Sequence, residues 1–433
     1  MSIKKCIYVA LPLILILASC GQSLPNDSLR TINQGEIIGI ESDHNTFAWL
    51  GIPFAEPPVG NLRWKAPIQP KKFDSRFEAS EFSQVCFQAE GIMTGNVGGW
   101  TGSEDCLYLN VWSPAWSAEQ LKKKNVPVMM WIHGGGNTIG SADTYYPTDL
   151  VSQHEVIVVT VQYRMSNLGW FRHPALRQGN STLEDASGNF GTLDNIMALK
   201  WIKENIGYFG GDANNVTIFG ESAGGHNVAA LYASPLATDL FHKAIVQSGI
   251  VSHSLIEDAE SYYPEDGTSG IQSSKEVINR LLINDKKADS LEDAKDKQNT
   301  MSLEELEVYL RSKKPEDLLT AYFEASPKKG GMTRVFNDGH VMGAKGIYES
   351  FVNSNFKRVP IILGTNRYET KLFNMRNPEF VKWGEGEGVI ATALSWAGIT
   401  ELPLEILRPD YYNAVNQYSS DSWKERAVDS PAR

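Results

Sequence analysis

The residues with the clearest chemical potential are Gly-Glu-Ser-Ala-Gly at positions 220–224. A short run of apolar and β-branched residues precedes them, and a helix-compatible segment at 226–232 follows them. A serine on a sharp turn between a strand and a helix is the arrangement of a nucleophile elbow, where the helix N-terminus stabilises developing negative charge. The glycines on either side allow strand and helix to approach closely. We therefore predict that Ser222 is a catalytic nucleophile rather than part of an ordinary glycine–serine turn.

The second chemical signal is the sequence His-Gly-Gly-Gly at residues 133–136, which directly follows an apolar run. Glycines have no β-carbon, so the backbone N–H groups of such a loop can approach a substrate closely, as an oxyanion hole requires. We predict that the N–H groups of Gly135, Gly136 and Ala223 form this hole. A flexible glycine turn is the alternative, and His133 is expected to anchor the loop rather than to act as a base.

Length and charge restrict the class of protein. The chain has 433 residues, with 40 Lys and Arg against 51 Asp and Glu, which gives a formal net charge of −11. This balance disfavours nucleic acid and anionic lipid as partners and is compatible with a neutral or cationic small-molecule substrate. No group of cysteines and histidines has the spacing of metal ligands, so we predict neither a metal nor an organic cofactor.

The N-terminus has the layout of an export signal. Lys4 and Lys5 precede an apolar run over residues 7–17 that is too short to span a bilayer comfortably. Residues 17–21, Leu-Ala-Ser-Cys-Gly, resemble a bacterial lipobox, and the resemblance implies cleavage before Cys20 and lipidation of that cysteine. The glycine after the cysteine favours the outer membrane. A plain secretory signal is the alternative.

These features divide the chain into three parts. We expect a lipoprotein signal peptide at residues 1–19, a polar tether at 20–31 and a folded domain at 32–433. The mature chain is then exported and is anchored by its N-terminal lipid at the periplasmic face or the surface of a bacterial outer membrane.

Two of the four cysteines remain available once Cys6 is removed with the signal and Cys20 is lipidated. An even pair in an oxidising compartment predicts a disulfide between Cys86 and Cys106. Two free buried thiols are the alternative.

Hydrophobic periodicity predicts alternating strands and helices. Short antiparallel strands are expected within residues 32–54, and apolar residues have helical spacing over 194–205. The further predicted strands are residues 107–112, 126–132, 156–161, 241–247 and 359–363. This alternation is typical of a doubly wound, mostly parallel sheet. Charged amphipathic helices at 273–283 and 303–319 are expected either to cap the site or to be ordinary surface helices.

Two longer motifs connect the chain to a known family. Residues 104–112 (Glu-Asp-Cys-Leu-Tyr-Leu-Asn-Val-Trp) and 219–225 (Phe-Gly-Glu-Ser-Ala-Gly-Gly) resemble the two signatures of type-B carboxylesterases and cholinesterases. The resemblance runs from about residue 32 to the C-terminus. It implies an α/β-hydrolase fold with a helical cap region, and it supports the Cys86–Cys106 bridge because Cys106 occupies the paired cysteine of the first signature.

The same resemblance assigns the acid of a catalytic triad to Glu369, in Gly-Thr-Asn-Arg-Tyr-Glu at residues 364–369. In the family this carboxylate orients the histidine and stabilises its cation, and Glu349 and Asp338 are the fallback acids. Asn137 stands where the family often has an aromatic residue, and Thr370 where it often has glycine. We expect these two departures to alter contacts in the substrate pocket and not the chemistry.

The family's general base is a histidine well beyond the acid, in the pattern Gly-X-X-His-X-X-Glu, and this sequence has no histidine after His340. We expect the chain to stop before the family's final core strand and histidine loop, as a gene fragment would, and to leave the strand at 359–363 as an exposed apolar edge. His226 follows Ser222 by one helical turn and is expected to point into the protein.

The resemblance implies a carboxylic ester hydrolase that acts on a small-molecule ester through a serine acyl-enzyme. Without a histidine beside Ser222, turnover by this chain is expected to be severely impaired. The alternative is a non-catalytic, cholinesterase-like surface binding protein. That alternative explains the absent histidine, but it does not explain the intact elbow and the oxyanion glycines.

Overall fold

A computed structural model describes residues 24–90, 99–263, 272–325, 332–353, 358–367 and 369, and the backbone alone of 381–382 and 405–406. The predictions on the signal peptide, Cys20 and Thr370 lie outside the described residues. None of the described helices combines the length and the apolar content that crossing a bilayer requires.

Thirteen strands lie within residues 24–367. In chain order they are β1 (Arg30–Ile32), β2 (Gly35–Ile38), β3 (Ile40–Ser42), β4 (Thr46–Pro53), β5 (Phe77–Glu78), β6 (Gln88–Glu90), β7 (Gly99–Thr101), β8 (Tyr108–Pro114), β9 (Val126–Ile132), β10 (Ile157–Val161), β11 (Gly211–Glu221), β12 (Lys243–Gln247) and β13 (Ile361–Gly364). Eight of them form one sheet in the order β13-β12-β11-β9-β10-β8-β4-β3. Strands from β13 to β10 run parallel, and β8, β4 and β3 are joined by antiparallel pairings. The predicted mostly parallel sheet is confirmed.

Helices connect and cover these strands. In the described part of the chain they are α1 (Ala118–Leu121), α2 (Thr148–His154), α3 (Ser166–Gly169), α4 (Leu183–Ser187), α5 (Phe190–Asn205), α6 (Ala223–Ala233), α7 (Ile256–Ala259), α8 (Ser274–Asn284), α9 (Leu291–Thr300), α10 (Leu303–Arg311), α11 (Pro315–Ala325) and α12 (Gly346–Asn353). Helices α5 and α6 bracket β11 in the sequence and therefore help to fix the position of the elbow.

Strand β10 lies in the middle of the core. All five of its residues are buried, as is usual for a strand rich in β-branched residues inside a mostly parallel sheet. Successive side chains point to opposite faces of a sheet, so Val159 packs in the large cluster with Ile202 of α5, whereas Val158 packs in a smaller cluster with Val151 of α2. The sheet is thus covered on both faces, and its strand ends can hold functional loops in fixed positions.

The predicted tether at residues 20–31 is too long, because the fold begins before residue 31. Ser28 is fully buried and donates from Oγ to the Gly39 carbonyl at 2.8 Å. The Arg30 guanidinium lies over the Trp49 ring, 4.8 Å from its centroid. The Ser28 hydroxyl and Arg30 Nη1 bond to backbone carbonyls, and the guanidinium lies over an aromatic face, which offsets part of the cost of burial.

The helix predicted at 303–319 is wrong as a single element. Helix α10 ends at Arg311, and α11 starts at Pro315, where proline fits the first turn because its missing N–H group would have no helical partner. A capping box starts α10, with Ser302 and Glu305 each accepting the other's backbone N–H. Whether this helical region covers the site stays a prediction.

Strand β13 lies at the position of the strand predicted at 359–363. It pairs with β12 along one side, but Ile362 and Leu363 are 64% and 58% exposed. The strand lies at the edge of the described sheet, so its apolar sequence reports parallel pairing rather than burial. The exposed edge agrees with the expectation drawn from the family pattern.

The structure contains the predicted disulfide between Cys86 and Cys106, and both cysteines are buried. In the chain-entropy description, a bridge that closes a loop of this size stabilises the fold by about 3 kcal/mol. We expect the Cys86→Ser/Cys106→Ser variant to lose about that much unfolding free energy, as measured by urea denaturation. An unchanged midpoint would show that the bridge does not restrain the unfolded chain.

Candidate active site

Ser222 lies at the junction of β11 and α6, with backbone angles φ 56° and ψ −119°. A non-glycine residue in this region is strained, and such strain is characteristic of a nucleophile elbow. The turn is held by the Ser222 N–H, which donates to the Gln247 carbonyl of β12 at 2.9 Å, and by the His226 N–H, which donates to the Ser222 carbonyl at 2.9 Å. Ser222 is half-buried, and its hydroxyl hydrogen bonds with no residue in the described part of the chain.

The glycines around the serine are required by close backbone contacts. A β-carbon on Gly224 would lie 2.0 Å from the Ile132 carbonyl oxygen, and one on Gly220 would lie 2.6 Å from the Gly224 carbonyl carbon. Both distances are far shorter than real contacts of a β-carbon. The motif is therefore explained by the approach of α6 to β9 and β11.

The glycine loop after β9 lies directly against the elbow. A β-carbon on Gly134 would be 3.3 Å from Ser222 Cβ, so this loop and the serine are neighbours. Gly135 and Gly136 have φ values of 103° and 67°, and a β-carbon on Gly135 would lie 2.1 Å from the Ile139 carbonyl oxygen. Only glycine tolerates this conformation at Gly135.

The N–H groups predicted to form the oxyanion hole, those of Gly135, Gly136 and Ala223, have no partner within the described chain. Ala223 is the first residue of α6, so its N–H is one of the four that a helix leaves free at its N-terminus. Free donors of this kind can stabilise negative charge on a ligand oxygen. The structure thus brings the predicted oxyanion residues to the same loop–elbow junction as Ser222.

Asn137 supports this loop, and the expectation that it alters contacts in the substrate pocket stays a prediction. The side chain is fully buried, its Oδ1 accepts from Asn227 Nδ2 of α6 at 2.9 Å, and its Nδ2 donates to the Thr333 carbonyl at 2.8 Å. The Thr333 N–H in turn donates to the Gly136 carbonyl at 3.0 Å. The amide therefore ties the glycine loop to the helix that follows Ser222, and it is not available to a substrate.

Glu369 follows β13, the strand that pairs with β12. Its Oε1 accepts hydrogen bonds from the Ser248 hydroxyl, from the Asn366 N–H at 2.8 Å and from the Thr365 hydroxyl at 3.2 Å. Ser248 follows Gln247, whose carbonyl holds Ser222, so one turn after β12 connects the acid and the serine. Sequence reasoning missed Ser248; its position directly after a predicted strand is the only signal that could have indicated it.

The pKa values of two carboxylates near the elbow are shifted in opposite directions. Partial burial raises the pKa of Glu369, but the hydrogen bonds from Ser248, Asn366 and Thr365 together outweigh it and hold the pKa below its ordinary value. Glu221 shows the opposite shift, because burial and then the charge of Glu369 raise its pKa. Glu369 is therefore an ionised acceptor at neutral pH and lies within electrostatic reach of the elbow.

The fallback acids serve local structure. Asp338 accepts backbone N–H groups of Val341 and Met342, and Glu349 accepts from Asn353 within α12. Glu369, by contrast, accepts from Ser248 at the turn whose Gln247 carbonyl holds Ser222, so Glu369 stays the preferred candidate for the acid.

All eight histidines of the sequence are described, and none hydrogen bonds with Ser222 or Glu369. Six have polar partners elsewhere: His44 with Asp149, His133 with the Gly134 carbonyl, His173 with the Ala175 N–H, His226 with the Ile250 carbonyl, His242 with the Val216 N–H and His340 with Glu184. His154 ends α2 at the surface, and the His253 ring lies against Gly346. As expected, His226 points into the protein, and burial lowers its pKa to about 4.

The comparisons with known proteins agree with this geometry. A model described as the carboxylesterase family matches residues 26–385. The fumonisin B1 esterase of Sphingopyxis macrogoltabida is 35% identical over 351 residues, which cover 81% of this chain and 58% of the relative. The para-nitrobenzyl esterase of Bacillus subtilis is 34% identical over 79% of this chain and 63% of the relative, so the chain spans about three fifths of these proteins.

Solved structures give the same result. A para-nitrobenzyl esterase structure superposes with a TM-score of 0.64 at 30% identity, covering 85% of this chain and 69% of the other. A carboxylesterase from Geobacillus stearothermophilus superposes with a TM-score of 0.64 at 32% identity, covering 85% and 67%. The protein described here belongs to the carboxylesterase family and has its α/β-hydrolase fold.

Proposed function

We propose that the chain hydrolyses a small carboxylic ester through an acyl-enzyme formed on Ser222. The observation that carries this proposal is the position of a strained, half-buried serine beside three unpartnered N–H groups, those of Gly135, Gly136 and Ala223. Ser222 Oγ would attack the ester carbonyl, and the three N–H groups would stabilise the oxyanion of the tetrahedral intermediate. The alcohol would then leave, and water would release the acid.

This scheme requires a base that accepts the proton of the Ser222 hydroxyl. Serine is a poor nucleophile unless a base removes its proton, and none of the eight histidines is in place to do so. Loss of a triad base lowers turnover by roughly 10⁴- to 10⁶-fold, leaving the contributions of binding and of the oxyanion hole. We propose that this chain by itself works at that residual level, with Glu369 in the position to orient a base.

Added imidazole tests the proposal directly. The rate of 4-nitrophenol release from 4-nitrophenyl butyrate should rise with imidazole concentration in the native chain, by more than the same imidazole achieves with the Ser222→Ala variant. The physical reason is that free imidazole can occupy the place of the base and accept the serine proton. Equal rates for the two proteins at every imidazole concentration would favour the second candidate, a non-catalytic surface binding protein, which the missing contact between histidine and Ser222 supports.

We also propose that the mature protein is exported and held by a lipid on Cys20. The lipobox-like residues 17–21 support this, and the buried Cys86–Cys106 disulfide is of the kind that persists in oxidising compartments. Metabolic labelling with a palmitate analogue should mark the native chain and not a Cys20→Ala variant; equal labelling of both would contradict the anchor.

A further inference from the structure

Arg334 is a partly buried cation without a partner in the described chain. Its Nε atom is buried and makes no hydrogen bond, and its guanidinium forms no ion pair with any described carboxylate. Two of the three well-buried arginines contrast with it, because the guanidinium groups of Arg63 and Arg164 meet Glu104 at 2.5 Å and Asp194 at 2.6 Å. The third, Arg30, donates to the backbone carbonyls of Asp27 and Leu29. An unpaired, partly desolvated guanidinium is costly, which indicates a site for an anion.

The position of Arg334 next to the glycine loop is fixed by its neighbour Thr333. The Thr333 N–H donates to the Gly136 carbonyl at 3.0 Å, and the Thr333 carbonyl accepts from the Asn137 amide at 2.8 Å. Arg334 is therefore one residue away from a segment that is hydrogen bonded to the proposed oxyanion loop.

The Arg334 charge lies within electrostatic reach of two histidines, one of them on α6. Burial is the main cause that lowers the pKa values of His226 and His253, and the positive charge of Arg334 lowers both further. His226 follows Ser222 by one turn of α6. The segment of His253 runs beside that of Arg334, because the Ser254 N–H donates to the Val335 carbonyl at 2.9 Å.

Gln272 holds both backbone polar groups of Arg334, whereas the guanidinium has no partner in the described chain. Gln272 Oε1 accepts the Arg334 N–H at 3.0 Å, and Gln272 Nε2 donates to the Arg334 carbonyl at 2.9 Å. A rigid backbone lowers the cost of binding, because only the side chain has to be ordered when a ligand arrives. The planar fork of arginine matches the two oxygens of a carboxylate.

We propose that Arg334 binds a carboxylate carried by the ester substrate itself, so that the site prefers anionic esters. This inference rests on the proposed function for the location of the ester, and it adds the class of substrate. The carboxylate can belong to the acyl part or to the alcohol part, since both extend from the reacting carbonyl. The whole chain has a net charge of −11 and would repel an anionic ester. The preference for anionic esters therefore comes from the local positive charge of Arg334.

Equilibrium binding to a protein that cannot turn over tests the proposal. Monobutyl succinate carries its carboxylate on the acyl part, 4-(butanoyloxy)butanoate carries it on the alcohol part, and dibutyl succinate is neutral. Calorimetric titration of the full-length Ser222→Ala chain should show that Arg334→Gln weakens one or both charged esters at least tenfold and leaves the neutral diester unchanged. Arg334→Lys should give an intermediate loss, because it keeps the charge but not the fork.

The matched control is Arg76→Gln, which removes an equal charge from an exposed ion pair with Glu36 and should change no affinity. Three results would each overturn the inference. They are equal affinities for the charged esters with and without the Arg334 side chain, equal losses of affinity for charged and neutral esters, and no binding of either charged ester at millimolar concentration. None of these results depends on turnover. Failure of the imidazole experiment would therefore count against the hydrolase and leave the anion site to be judged separately.

Discussion

A fluorophosphonate probe is expected to label Ser222 of the native chain at least about 10⁴-fold more slowly than it labels a serine esterase that carries its general base. The probe reacts with the serine oxygen, and the reaction requires that the proton be removed. The backbone donors of Gly135, Gly136 and Ala223 can stabilise the adduct but cannot accept that proton. Intact-mass spectrometry over a time course measures the rate, and Ser222→Ala gives the background.

Complete labelling within minutes at micromolar probe would contradict this prediction and would mean that an imidazole reaches the serine. His226 and His133 are then the first candidates, since burial lowers the pKa of each to about 4 and both are neutral bases at pH 7. A base with such a lowered pKa loses its function only as pH falls through about 4, because protonation then removes its acceptor. A labelling rate that is constant from pH 8 to pH 5 and falls below that would identify this mechanism, and asparagine variants would show which histidine acts.

The site could be predicted from sequence where chemistry and backbone geometry demand particular residue types. Gly135 has a φ that only glycine adopts easily, and Gly224 touches the carbonyl of the neighbouring strand, so both positions appear in the sequence as glycines around a serine. Ser248 gave no such signal. A serine after a strand is common, and its bond to Glu369 arises only from the pairing of β12 with β13.

Asn137 shows that the sequence does not reveal what holds a functional loop in place. It lies next to the predicted oxyanion glycines, but nothing in the sequence indicates that its amide is buried. Its partners Asn227 and Thr333 come from 90 and 196 residues away along the chain, and only the folded structure brings them together. Buried amides need such partners to be tolerated, but sequence does not show which residues provide them.

The fold was predictable where buried positions are filled by apolar residues at regular spacing. It was less predictable where the buried residues are polar. The β-branched run of β10 indicated a strand correctly, because a strand with two covered faces needs apolar residues at every position. Ser28 and Arg30 looked like a solvated tether because polarity alone does not reveal a buried hydroxyl or a guanidinium over Trp49. The break before Pro315 was hidden because apolar spacing continues through it, although the proline itself was the available signal.

Asp194→Ala is expected to destabilise the fold by about 3–5 kcal/mol, the largest effect on stability that we predict. The Asp194 carboxylate accepts hydrogen bonds from the Arg164 guanidinium at 2.6 and 2.9 Å and from the Arg164 N–H at 3.0 Å. The two side chains are 4% and 0% exposed, so the variant would leave a buried guanidinium without its counter-charge. Urea-induced unfolding of the native chain and the variant measures the difference.

The exposed pair of Arg76 and Glu36 is the matched control, because its side chains are 49% and 50% exposed. Solvent screens that pair, so Glu36→Gln should cost no more than about 1 kcal/mol. If both partners of the buried pair are replaced by apolar residues, as in Arg164→Met/Asp194→Leu, much of the lost stability should return, since the unpaired charge is then gone. A loss below 1 kcal/mol for Asp194→Ala would mean that water reaches Arg164, and the loop after β10 would then be more open than its contacts imply.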